Sequence, residues 1–166
     1  MNLDTHQIIY STDKSEQDIL AFLEKANSSF NPKLSDKVDL IVYSKKIYKY
    51  ANIIFAKLED IDIGMVAFYI NHETKIGFIT LIGVLPEYQG RGIGKILLYQ
   101  TLDCALKNNI DSIELEVSCF NTSAISFYKK NGFLISTSLK HTNNDNSLYM
   151  SKKLSTIPRK DGRTMN

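Results

Sequence analysis

Val84-Leu85-Pro86-Glu87-Tyr88-Gln89-Gly90-Arg91-Gly92-Ile93-Gly94-Lys95 is the stretch on which the reading of this chain turns. The β-branched run Ile76 to Val84 ahead of it predicts a strand. Ile93 to Leu106 is apolar around most of its circumference, which predicts a helix lying on a sheet. A strand that feeds a helix through a glycine-rich turn leaves several backbone N–H groups unpaired beside the positive end of the helix dipole. Such a nest suits an anion, above all a phosphate or pyrophosphate. Glycine is required because a Cβ holds the anion off the backbone and because such turns visit positive φ. Two phosphate motifs do not fit. A dinucleotide fingerprint counted from Gly90 needs glycine at 95, where Lys95 stands, and a P-loop ending on Gly94-Lys95 needs glycine at Gln89 and Ser or Thr at Ile96. A plain turn without a ligand is the reading that a lone G-x-G leaves open.

Working outward, the period of two before this stretch predicts a three-strand antiparallel meander, Ile53 to Phe55, Met65 to Ile70 and Ile76 to Val84. Thr5 to Tyr10 reads as a short first strand. Ser15 with Asp18 reads as the capped start of a helix ending near Asn27, and Ser35 with Asp36 as the cap of a second carrying Leu40, Tyr43, Ile47, Tyr50 and Ala51. After the glycine turn, Asp111 to Ser118 alternates as a strand, and Thr122 to Asn131 forms a helix stopped by Gly132. Phe133 to Ser138 and Ser147 to Lys153 close as a strand pair. The expectation is a mixed, mostly antiparallel α/β sheet flanked by helices, with residues 158–166 a loose tail.

Composition narrows the classes. The 166 residues fit one domain, and 43% hydrophobic with 23% charged residues excludes disordered and fibrous chains. Twenty Lys and Arg against 18 Asp and Glu give a net charge of +2, without the basic footprint of a nucleic-acid binder. Cys104 and Cys119 have neither disulfide nor zinc spacing. His6, His72 and His141 lie apart, so no metal site is expected. No apolar run approaches a membrane span and the first ten residues lack a signal-peptide pattern, so a cytoplasmic protein without membrane partners is expected.

Gln89-Gly90-Arg91-Gly92-Ile93-Gly94 has the form [QR]-x-x-G-x-[GA] and resembles the acyl-CoA pyrophosphate loop of the GNAT superfamily of N-acetyltransferases. About 30 residues on, Leu115-Glu116-Val117, then Asn121, Ala124, Phe127, Tyr128, Lys130, Gly132 and Phe133, resemble that superfamily's second motif. The close likeness covers Ile76 to Phe133. It implies one N-acetyltransferase domain over residues 1–166, in which about the first 50 residues form a helical acceptor-side part. It also implies a splayed strand pair holding acetyl-CoA, and transfer of the acetyl group directly to a primary amine in a ternary complex by a monomer or homodimer. A non-catalytic acyl-CoA sensor on the same fold is the alternative.

The resemblance further implies roles for individual residues. The N–H of Ile82 faces the thioester oxygen, Val84 pairs with the pantetheine arm, and Gly83 eases a bulge between them. Gln89, Gly90, Arg91, Gly92, Ile93, Gly94 and Lys95 surround the pyrophosphate, with Asn121, Tyr128 and Lys130 also on the cofactor. Arg91 and Lys95 either reinforce that site or are solvated charges. Tyr128 is the implied general acid, with core packing as its other role. Asn121 caps its helix, contacts the pantetheine, or does both. Glu116 matches the base of members that acetylate protein N-termini, and alternation sets it opposite Ile113, Leu115 and Val117, facing a cleft or plain solvent. Tyr43, Tyr48 and Tyr50 either line an acceptor wall or pack the second helix. No motif specifies the acceptor.

Overall fold

A computed structural model describes residues 5–136 and 146–154. His141 and the 158–166 tail lie outside the described residues. After a 3-10 turn at Thr5–Gln7 come β1 (Ile8–Ser11), α1 (Glu16–Ala26), α2 (Leu40–Tyr50), β2 (Asn52–Leu58), β3 (Ile61–Asn71) and β4 (Ile76–Val84). The second half runs α3 (Ile93–Lys107), β5 (Ser112–Ser118), α4 (Thr122–Lys130), β6 (Leu134–Ile135) and β7 (Ser147–Lys153). The strands form one sheet in the order β1-β2-β3-β4-β5-β7-β6. Among the described residues only the β4–β5 pairing is parallel, as the α3 crossover between them requires.

Helix starts show how local chemistry sets the elements. Ser15 closes a capping box on α1: Asp18 N–H donates to Ser15 Oγ at 3.1 Å, and Ser15 N–H donates to Asp18 Oδ2 at 2.9 Å. The cap expected at Ser35 and Asp36 is displaced. Those residues belong to a separate 3-10 turn, Leu34–Asp36, and α2 is capped by Asp39, whose Oδ1 accepts from Val42 N–H at 2.9 Å. Asp39 sits one residue before Leu40, so the acidic cap nearest the apolar face takes the role.

Helices cover both faces of the sheet. On one face Val66, Phe68, Ile79 and Leu115 pack under Leu97 and Leu98 of α3 and Tyr128 of α4. On the other, Phe55, Met65, Ala67 and Leu81 pack under Phe22 and Leu23 of α1 and Ile47 of α2. Ile79 and Leu81 would share a face in a regular strand, yet they face opposite clusters. The cause is a bulge: Ala67 pairs with Leu81 and Phe68 with Ile79, leaving Thr80 as the extra residue. The bulge expected at Gly83 is therefore three residues earlier, and Gly83 itself pairs regularly with Met65. Gly83 lacks a side chain for a different reason. A Cβ there would stand 2.7 Å from Cζ of Phe30, whose ring lies against this part of β4.

β4 and β5 pair only from Ile76–Ile79 to Ser112–Leu115. Beyond that point the strands part, and β5 keeps its ladder with β7 alone, Glu116 opposite Tyr149 and Ser118 opposite Ser147. The result is a wedge open at the C-terminal ends of two parallel strands. No helix of the described residues is long and apolar enough to cross a membrane.

Candidate active site

The wedge exposes the backbone edge of β4. Leu85 N–H donates to Ile63 C=O at 2.8 Å, on the β3 side. Strand alternation then turns the amide groups of Ile82 and Val84 the other way, into the wedge. The Val84 carbonyl on that edge accepts from Gln89 Nε2 at 3.0 Å. Gln89 thus folds back onto the strand end and draws the loop across the top of the wedge.

Past Gln89 the chain makes the nest. Gly90 has φ 76° and Gly92 φ 80°, left-handed conformations that strain any residue with a Cβ. A Cβ on either would have nothing within 4 Å, so it would project into the open space above the loop. Gly92 is the N-cap of α3 and contributes no side-chain cap. The N–H groups of the first turn of α3 are therefore left to whatever ligand sits there. Gly94 lies inside the helix, where a Cβ would make ordinary contacts of 3.8 Å with Phe127 and Val84. Gly90, Gly92, Ile93, Gly94, Lys95 and Lys130 help to line a cavity of about 450 Å³ over this turn. Lys95 Nζ lies 5.5 Å from the Tyr99 ring. Arg91 is turned back instead: its Nη2 donates to Glu87 C=O at 3.1 Å and its guanidinium lies 5.6 Å from the Tyr88 ring. It lines none of the cavities around the wedge.

A second cavity, of about 480 Å³, occupies the wedge itself between Ile82, Gly83 and Val84 of β4 and Asn121, Phe127 and Tyr128 at α4. A third, of about 180 Å³, reaches through to the α1–α2 side of the sheet, past Thr80, Leu81 and Glu116. These two share Ile82, Asn121, Ala124 and Tyr128, so the wedge and the third cavity meet there.

Tyr128 is the one buried residue of α4, 7% exposed. Its ring stacks edge-on with Phe127 and Phe133 at 5.3 and 5.5 Å. Burial pushes its hydroxyl far above the ordinary tyrosine range. Asn121 N-caps α4, its Oδ1 accepting from Ala124 N–H at 3.1 Å, and it also lines the wedge. Ile113, Leu115 and Val117 are buried while Glu116 is exposed, lining the third cavity. The Tyr149 hydroxyl, opposite it on β7, hydrogen-bonds to Glu116; burial first, and then the carboxylate's charge, raise that hydroxyl's pKa.

Tyr43 donates to, or accepts from, Thr80 Oγ1 at 2.9 Å, and burial pushes its hydroxyl up to about 12. It clamps α2 to the bulge. Tyr48 and Tyr50, grouped with it on sequence, are 52% and 64% exposed and stand away from the wedge. Sequence reasoning missed Phe30, Asn31 and Pro32, which close the wedge from the α1–α2 connection. Their one sequence signal is an aromatic two residues before a proline in a mostly polar connection.

The glycine nest stands above a wedge between two parallel strands, and comparison with known proteins places the chain that carries them. The Acetyltransferase (GNAT) family matches residues 19–133, and the chain belongs to that family. It is 34% identical over 111 residues to N-alpha-acetyltransferase 50 of Danio rerio, 62% of this chain and 66% of that one. It is 40% identical over 58 residues to mycothiol acetyltransferase of Renibacterium salmoninarum, 35% of this chain but 17% of that one. The chain thus spans less than two-thirds of either relative. The fold is similar to that of PaiA N-acetyltransferase from Thermoplasma acidophilum, a structure in complex with coenzyme A. The TM-score is 0.68 at 21% identity, covering 88% of this chain and 98% of that one.

Proposed function

We propose that this chain is an acetyl-CoA-dependent N-acetyltransferase that moves an acetyl group directly to a primary amine within a ternary complex. The observation that carries the reading is the meeting of two cavities at Ile82 and Tyr128, one beneath the nest and one open to the opposite side of the sheet. Donor and acceptor can then reach one point from two directions. The nest fits a pyrophosphate because a Cβ at Gly90 or Gly92 would fill the space the phosphates need. The open edge of β4 offers backbone groups to an amide-bearing arm. Acetyl-CoA supplies an activated thioester.

In this reading the Ile82 N–H stabilises the oxygen that gains charge as the amine attacks, worth on the order of 3 kcal/mol of barrier. The C–N bond forms and the C–S bond breaks. Tyr128 gives its proton to the departing sulfur, and Glu116 receives the proton lost by the amine, directly or through water. Gly92, Ile93, Gly94 and Lys95 hold the pyrophosphate, with Lys130 beside them, and Asn121 orients the pantetheine while capping α4. The cytoplasm is the setting this reading assigns.

Initial-rate measurement of CoA release with acetyl-CoA and a panel of amines tests it. Amine-dependent release with intersecting double-reciprocal lines is expected. Tight acetyl-CoA binding with slow release that no amine accelerates would assign the chain to the sensor alternative instead.

A further inference from the structure

The acceptor-side channel, about 180 Å³, has a mixed wall, with Phe30, Leu34 and Leu81 beside the polar Asn31, Thr80 and Asn121. Only two charged residues line it, Glu116 on β5 and Lys37 just ahead of α2. Glu116 already has a partner in Tyr149. Lys37 has none: the ion pairs among the described residues join Lys14 to Asp62, Lys57 to Asp60 and Lys107 to Asp103. The nearby Asp39 carboxylate is committed to capping α2. Lys37 is exposed, so solvent screens its charge, but a cation without a counter-ion that lines a concave site still favours an anion there over a neutral group.

We infer that the acceptor itself carries a negative charge: a short primary amine with a carboxylate a few carbon atoms away. The amine lies at the Tyr128 and Glu116 end and the carboxylate against Lys37. The inference rests on the acetyl-transfer reading above and names its substrate class. Lys37 is then the residue that sets specificity, by completing the charge pattern of a small channel. Two sources supply this chemistry, a free amino acid or an amino-terminal residue with an acidic side chain.

Three amines that differ only at the far end test it: 4-aminobutanoate, butylamine and 1,4-diaminobutane, each with saturating acetyl-CoA. The expected kcat/KM for 4-aminobutanoate exceeds that for butylamine by about threefold, the size of an exposed ion pair. Lys37→Gln brings this ratio close to one, and Lys37→Glu moves the preference to the diamine. Lys33→Gln, on the same connection but outside the channel lining, leaves the ratio as in the parent. A structural role for Lys37 would lower all three rates together and would not reverse a charge preference. Free aspartate against a peptide amide beginning with aspartate identifies the source, whichever is faster. Amine-dependent turnover with no preference for the carboxylate, or a preference unmoved in Lys37→Glu, overturns this inference alone. No acceleration by any amine overturns the acetyl-transfer reading and this one with it.

Discussion

Tyr128 holds its proton because of burial and not because of a partner. No carboxylate or cation contributes to the upward displacement of its pKa, and its hydroxyl makes no hydrogen bond among the described residues. Displacement upward means that the protonated form persists to higher pH, which is the state a donor to a thiolate needs. The rate should therefore show no alkaline fall attributable to Tyr128 below about pH 10, the ordinary tyrosine value. A pH–rate profile checks this. Tyr128→Phe keeps the ring contacts with Phe127 and Phe133 and removes only the hydroxyl. Turnover should fall by roughly 10²-fold with little change in Tm, and near-normal turnover would return Tyr128 to a packing role. Glu116 carries the opposite expectation. Glu116→Gln should slow the reaction most at neutral pH and recover partly as pH rises, since more amine then arrives neutral. A profile parallel to the parent's at every pH would remove Glu116 from the proton path.

At the scale of elements, the nest and α4 each hold a test that separates binding from folding. Gly92→Ala places a Cβ at φ 80° and costs about 1–2 kcal/mol of strain, which mixes the two effects. Gly94→Val separates them better, because position 94 is helical and a Cβ there meets only ordinary contacts, leaving the room for its two methyl groups as the folding cost. Titration calorimetry should show a large loss of acetyl-CoA affinity in a variant with near-parental Tm, and unchanged affinity would remove the nest from the cofactor site. Asn121→Ala should cost about 1 kcal/mol of stability through the lost cap on Ala124 N–H, read as a lower denaturation midpoint. These elements were legible in the sequence because their chemistry is contiguous: three glycines within five residues, and an asparagine three before Ala124. The rest of the site depends on contacts between distant positions. Phe30 meets Gly83, and Tyr43 meets Thr80, across 53 and 37 residues, and no local pattern announces either. The bulge was expected at Gly83 and lies at Thr80, because Thr80 is as good a strand residue as its neighbours and composition could not show which residue is one too many. Ser35 and Asp36 misled because a capping residue is recognised by type, whereas the helix begins where its apolar face first meets the sheet.

For the whole molecule, the wedge is a sheet left partly unzipped, with the facing edges of β4 and β5 unpaired over residues 80–84 and 116–118. Filling it should both stabilise the protein and protect those edges. Coenzyme A at about 100 times its Kd should add about 2.7 kcal/mol of stability, a rise in Tm of roughly 5–10 °C. Amide exchange should slow at Ile82 and Val84, whose N–H groups face the wedge, while Leu85, already bonded to Ile63, stays as it was. Equal slowing at all three would mean general tightening and not docking along β4. The bulge at Thr80 extends this picture to how such a strand tolerates change. β4 is written in two phases: Ile76–Ile79 follows the beat of the sheet, and the residues after Thr80 follow the opposite beat. Adding or removing two residues in the first half preserves both, but a change of one exchanges indoors for outdoors at Leu81 and Ile82. Thr80 works as a comma in the chain, and without it the same words would carry another meaning.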